Sequence, residues 1–178
     1  MRHAGIIKNT FDDLQKVDGK IKEETKIAMK KGVRSRVRSF PSMASSDGLL
    51  RTLTFYMSKS DPKTFESIIN DFRNPDNALS VAESITLNDL ESKTEKVSYS
   101  IALACYVSAI EHIGRKLGRG EFRTTSNFCG LLDLLEEILM WDGTSRSILE
   151  KMVIEYSIEL KKLVEAYIKE DDNSEQQA

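Results

Sequence analysis

The sequence predicts an all-α protein: a compact, single-domain bundle of about six helices over residues 1–170, followed by an acidic and polar tail, 171–178, expected to be disordered. Three observations carry this. Apolar residues recur every three or four positions through most of the chain, the spacing that builds one face of a helix. Alternating β-branched runs, the mark of half-buried strands, are absent. Only nine Gly and three Pro occur among 178 residues, which leaves few places for hairpins. A chain of this length can bury a substantial single core.

Taken in order, the first helical region spans about Ala4–Ser39, with a possible break at Asp18-Gly19. Ile6, Ile7, Phe11, Leu14 and Val17 stripe its first half. In its second half Met29, Val33, Val37 and Phe40 share one narrow face at about 100° per residue. Pro41 is expected to stop this helix or start the next, because its ring disfavours a preceding helical residue and suits a first turn. Ser45-Ser46-Asp47-Gly48 reads as a turn with Asp47 as a cap, and Leu49, Leu50, Leu53, Tyr56 and Met57 return to helical spacing.

Asp61-Pro62 reads as an N-cap and first position of a helix ending near Phe72, closed by Asn74-Pro75-Asp76-Asn77. Ala78–Leu90 reads as a weak helix and Asp89–Lys96 as a charged connector. Val97–Leu117, apolar nearly all round, is the expected central buried helix. A polar loop from Gly118 to Asn127 leads to a helix over Phe128–Trp141, capped by Ser126 or Asn127. After Gly143-Thr144, the residues Leu149, Val153, Tyr156, Leu160, Leu163 and Tyr167 follow 4-3-4-3-4 spacing. That pattern fits the inner face of a bundle better than a coiled-coil seam.

Charge is divided along the chain. Residues 1–60 carry thirteen Lys/Arg against six Asp/Glu, and the remainder thirteen against twenty-two, so a net charge of −2 conceals a basic end and an acidic end. Such a division suits nucleic-acid binding at one end, or head-to-tail association of copies. The basic density peaks in Lys26–Ser42, with six cations (Lys26, Lys30, Lys31, Arg34, Arg36, Arg38) and no acid. On a helical wheel Lys30, Lys31, Arg34 and Arg38 cluster about 120° from the apolar stripe, and Arg36 lies across it. Arg and Lys hold phosphates by charge-assisted bonds. Without interleaved aromatics (Phe40 is on the apolar stripe) the segment favours backbone contact over base reading. The bland alternative is a solvated face, or pairing to acids elsewhere in the fold. A second group, Arg115, Lys116, Arg119 and Arg123, is explained as readily by the attraction of cations to a helix C-terminus.

Reaction chemistry is hard to assemble. His3 and His112 form no triad or metal spacing, and the doublets Asp12-Asp13, Glu23-Glu24, Glu136-Glu137 and Asp171-Asp172 splay apart on a helix. No Walker, HExxH or calcium-loop pattern occurs. Cys105 and Cys129 sit in apolar contexts and read as reduced, buried thiols of a cytoplasmic protein. No signal-peptide pattern or membrane-length apolar run is expected. Neither a cofactor nor a metal is expected.

The segment Arg34–Lys59, RSRVRSFPSMASSDGLLRTLTFYMSK, resembles the small α-helical subunit of the type III-B CRISPR effector, the Cmr complex. That family shows a basic helix ending near a Pro, a spacer, Asn/Asp-Gly-Leu, and an apolar helix closing with Ser-Lys. Arg34, Arg36, Arg38, Pro41, Asp47, Gly48, Leu49, Leu53, Phe55, Ser58 and Lys59 fit that layout. Asp47 stands where the family commonly has Asn. The family often ends its last helix on aromatic and basic residues, whereas this chain reads ELKKLVEAYI.

The resemblance implies a non-catalytic subunit of an antiviral ribonucleoprotein, with other Cmr-type subunits, CRISPR RNA and target RNA as partners and self-association within the complex. Lys30, Lys31, Arg34, Arg36, Arg38 and Arg51 are the expected RNA-contacting residues. A protein–protein adaptor without RNA contact is the second class. A helical hydrolase is the third.

Overall fold

A computed structural model describes residues 23–73, 87–118 and 127–174, with side chains over 28–70, 93–118 and 127–166. The expected stripe at Ile6–Val17, the end of the third helical segment at Asn74–Asn77, and the tail beyond 174 lie outside the described residues. Among the described residues all regular structure is helical, as the sequence predicts. These residues form six helices: α1 (Glu23–Asp47), α2 (Leu49–Lys59), α3 (Pro62–Arg73), α4 (Leu87–Lys116), α5 (Cys129–Met140) and α6 (Gly143–Ser174).

The core forms around α1. Its stripe of Met29, Val33, Val37 and Phe40 is buried, as the helical phasing predicts, and Ala44 continues it beyond Pro41. It packs against α4 on one side and α6 on the other. Gly32 lies against Ser98 and Val37 against Tyr106, so α4 runs parallel to α1. Arg38 meets Glu165 while Leu49, just past the end of α1, meets Glu150, so α6 runs antiparallel. At Gly32 a Cβ would approach the Ser98 Cβ to 3.0 Å, so the glycine lets two helix backbones come close at the cost of local helix propensity.

Pro41 does not end the first helix; α1 continues through it to Asp47. A proline in a helix interior removes one amide donor and leaves the carbonyl four residues earlier without its partner. Here that carbonyl belongs to Val37, and the buried Tyr106 hydroxyl donates to it at 3.3 Å. Beside it the Tyr56 hydroxyl donates to the Arg36 carbonyl at 2.6 Å and lies 3.0 Å from Ser39 Oγ. The Phe40 ring stacks on Tyr106 with centroids 3.5 Å apart and meets Tyr56 edge-on at 5.2 Å. The interruption is thus absorbed by phenols from α2 and α4, which local sequence cannot reveal.

Helix starts depend on distant side chains as well. Asp47 is not the cap of α2. Gly48 occupies that place with φ +88°, and the Leu49 amide donates to Glu150 of α6 at 2.7 Å. Positive φ favours glycine here. Asp61 does cap α3 as predicted, accepting the Thr64 amide at 3.1 Å, and Ser100 of α4 accepts the Asp61 amide at 2.9 Å. Asn127 accepts the Gly130 amide at the start of α5, and Glu66 of α3 accepts the Phe128 amide at 2.7 Å.

Three further expectations are corrected. The connector expected at Asp89–Lys96 is helical: α4 starts at Leu87 and kinks at Lys93 (φ −134°, ψ 23°) before its buried half. Cys105 is buried but Cys129, the first residue of α5, is exposed. On α6, Leu149, Val153 and Leu160 face inward, but Leu163 is exposed and Val164 takes its place. An uncoiled helix drifts against a seven-residue repeat, so over two heptads the inward stripe moves on by one position.

Two outcomes test this arrangement. Tyr106→Phe should lower stability in urea unfolding by about 1–2 kcal/mol, because it orphans a buried carbonyl. In a Pro41→Ala background, which returns an amide donor at position 41, the same change should matter less than half as much. Burial pushes the Tyr56 hydroxyl up to about 12 from an ordinary 10.0, and burial holds Tyr106 well above its ordinary value. Both folded values exceed the unfolded ones, so this stabilisation is intact below about pH 10 and is lost as pH rises through the folded range. A tyrosinate absorbance titration should show these residues ionising together with unfolding.

Candidate nucleic-acid interface

The cations of α1 fall on two faces, and the apolar stripe between them decides their environments. Lys30, Lys31, Arg34 and Arg38 lie together on the flank toward α6, with Lys31 and Arg38 exposed and Lys30 and Arg34 half-buried. Arg38 Nε sits 3.5 Å from Glu165 Oε1 while its side chain stays 66% exposed, so its charge still faces solvent. An exposed pair of this kind is worth little in stability. Lys30 and Arg34 also interact within the fold.

Arg36 is separated from this group, as the helical phasing predicts. It turns toward α4, where Nη2 donates to Glu95 Oε1 at 3.2 Å and the guanidinium lies 4.3 Å over the Tyr99 ring. With 25% of its side chain exposed, it serves packing as much as charge. Glu95 and Tyr99 are four residues apart, one helical turn, so a single guanidinium reaches both. Periodicity on α1 could place Arg36 on a flank but could not name its partners.

Arg51 belongs to neither group. It lines a recess of about 410 Å³ with Asp47, Arg146, Ser147 and Glu150, where the start of α2 meets the start of α6. Along α1, Lys30 and Asp47 are about 25 Å apart at 1.5 Å per residue, so Arg51 marks the opposite end from the Lys30–Lys31 pair. Acidic and basic groups alternate in this recess, and Glu150 is committed to the Leu49 amide. The six expected RNA-contacting residues therefore divide into a four-residue face, a packed arginine and a distal one.

The second basic group is partly described. Arg115 and Lys116 are exposed at the end of α4, while Arg119 and Arg123 lie outside the described residues. His112, exposed on the same helix, is held below its ordinary value by partial desolvation and by the nearby Lys116 and Arg115. Among the described residues no group of His, Cys, Asp and Glu is arranged to hold a metal ion, and no helix is long and apolar enough to cross a membrane. Glu136 and Glu137 are both solvent-facing, as doublets on a surface helix should be.

One residue on this side of the molecule, which the sequence marks only as part of the family layout, has no expected role. Phe55 is 38% exposed on α2, and its ring edge meets Tyr99, the residue beneath Arg36, at 5.9 Å. Its signal was present in the cations Arg51 and Lys59, four residues before and after it.

No protein-family model, curated protein or solved structure matches this chain.

The different placements of Arg36 and Lys31 give a direct check. Arg36→Gln should lower stability by about 1 kcal/mol through loss of the cation–π contact. Lys31→Gln, on open surface, should stay within about 0.5 kcal/mol of the parent in the same denaturant titration.

Proposed function

We propose that this chain is a non-catalytic small subunit of a type III-B CRISPR ribonucleoprotein effector in antiviral defence. In this reading it assembles with larger Cmr-type subunits in the cytoplasm and contacts the backbone of the guide–target RNA duplex. The observation that carries the proposal is the cation face of α1. Lys30, Lys31, Arg34 and Arg38 stand on one flank of a helix whose apolar stripe is locked into the core. A row of cations along one helix suits successive phosphates, and no aromatic side chain interleaves it to stack on bases. The layout of Arg34–Lys59, which resembles the family's basic helix, spacer and Ser-Lys-ending helix, supports the same reading.

On this proposal the mechanism is electrostatic. Each phosphate neutralised releases condensed counterions, so affinity falls steeply with salt and is indifferent to sequence. Arg38 would exchange its loose contact with Glu165 for a phosphate at little cost.

A second reading, a protein–protein adaptor, draws on the exposed apolar side chains Leu132, Leu139 and Met140 of α5 and Ile148 of α6. Exposed apolar groups gathered in this way mark contact surfaces. The two readings separate on RNA.

The full chain should bind a mixed-sequence RNA oligomer with log affinity falling linearly in log salt. Lys31→Glu combined with Arg38→Glu should weaken that binding and reduce the slope by about 1–2. Unchanged affinity and slope would remove α1 as the contact face. Absence of binding even at low salt would favour the adaptor. Purification from the native host should bring down larger effector subunits and a short guide RNA.

A further inference from the structure

Among the exposed large apolar side chains of the described residues, Phe55 is the aromatic one; the others, such as Leu132, Leu139 and Met140, are aliphatic. It is not surplus core. Its ring packs edge-on against Tyr56 at 6.0 Å and Tyr99 at 5.9 Å, which holds it upright on α2, and 38% of the residue stays open to solvent. Arg51 and Lys59, both exposed, stand one turn before and one turn after it, about 6 Å along the axis in each direction.

The neighbouring helices add to the same charge. Arg36 lies over Tyr99 and engages Glu95, the acid on this side of α4, and Lys96 is exposed one turn before Tyr99. Asp61, at the start of α3, is met by Lys93 at 3.8 Å. Glu95 and Asp61 are thus paired within the fold, while Arg51 and Lys59 are exposed on either side of the Phe55 ring and Lys96 is exposed on α4.

We propose that Phe55 is a stacking platform for an unpaired base of single-stranded RNA, with Arg51 and Lys59 holding the phosphates on either side of that nucleotide. The inference rests on the RNA reading above and adds a subsite to it. A fixed aromatic flanked by cations is the arrangement by which proteins hold single strands with little regard to sequence, because every base offers a π-face. A duplex offers none, since its bases are stacked on one another, so this subsite selects single strands or unpaired positions where the cation row of α1 does not. The face also differs from the apolar surface of α5, whose exposed neighbours Asp133, Glu136 and Glu137 are acidic.

The test compares single-stranded oligouridine and oligoadenosine with a blunt RNA duplex, using the full chain at fixed low salt. Phe55→Ala should weaken single-strand binding about 5- to 100-fold and leave duplex binding unchanged. Phe55→Tyr, which keeps the ring, should retain parent affinity, and far-ultraviolet circular dichroism should show both variants as helical as the parent. In Phe55→Trp, single-stranded RNA should quench fluorescence beyond any change in the signal of Trp141 in the parent.

If Phe55→Ala leaves single-strand affinity unchanged while the Lys31→Glu and Arg38→Glu pair lowers it, the stacking proposal is overturned, the RNA reading stands, and the Phe55 face falls to a protein partner. If the parent binds neither single nor double strands, both proposals fall together.

Discussion

The whole arrangement turns on how a proline is carried inside α1. Pro41 deprives the Val37 carbonyl of its helical donor, and a buried carbonyl left alone is expensive. Tyr106 supplies the missing hydrogen bond from the middle of α4, and Phe40 stacks on the same ring. Helix α1 can therefore run unbroken to Asp47 and carry its buried stripe past the proline to Ala44. A break at Pro41 would separate Ala44, and the turn into α2, from the stripe that packs against α4.

A second constraint is that helix beginnings are completed from a distance. Glu150 receives the Leu49 amide, Ser100 the Asp61 amide, and Glu66 the Phe128 amide. Each contact joins a turn to a helix far away in sequence, so each turn is held only once the bundle has assembled. Capping then couples local structure to tertiary packing, and the short connections at Gly48 and Ser60-Asp61 are held by distant partners in addition to their own turn residues.

The same packing sorts the charges. The apolar stripe of α1 separates Lys30, Lys31, Arg34 and Arg38 from Arg36, and the partners on each side differ in kind. One side meets a carboxylate, Glu165, that leaves Arg38 largely in solvent. The other meets Tyr99 and Glu95, which draw Arg36 into the surface. A single basic run in sequence becomes a partly exposed row on one flank and a packed guanidinium on the other. The packed one lies over Tyr99, whose ring also meets Phe55, so two surfaces of different chemistry arise from neighbouring residues.

The sequence by itself determined the helical class, the inward stripe Met29–Val33–Val37–Phe40, the buried run after Val97, the Asp61 cap, and the flanks on which the cations lie. All of these follow from the fixed 3.6-residue repeat and from chemistry within one turn. Packing between helices settles that Pro41 stays within a helix, that Glu150 rather than Asp47 completes α2, and that Phe55 stands against Tyr99. In these cases the partner lies on another helix, tens of residues away, where helical periodicity carries no information. Distance in sequence, not weakness of signal, set the limit on what could be read.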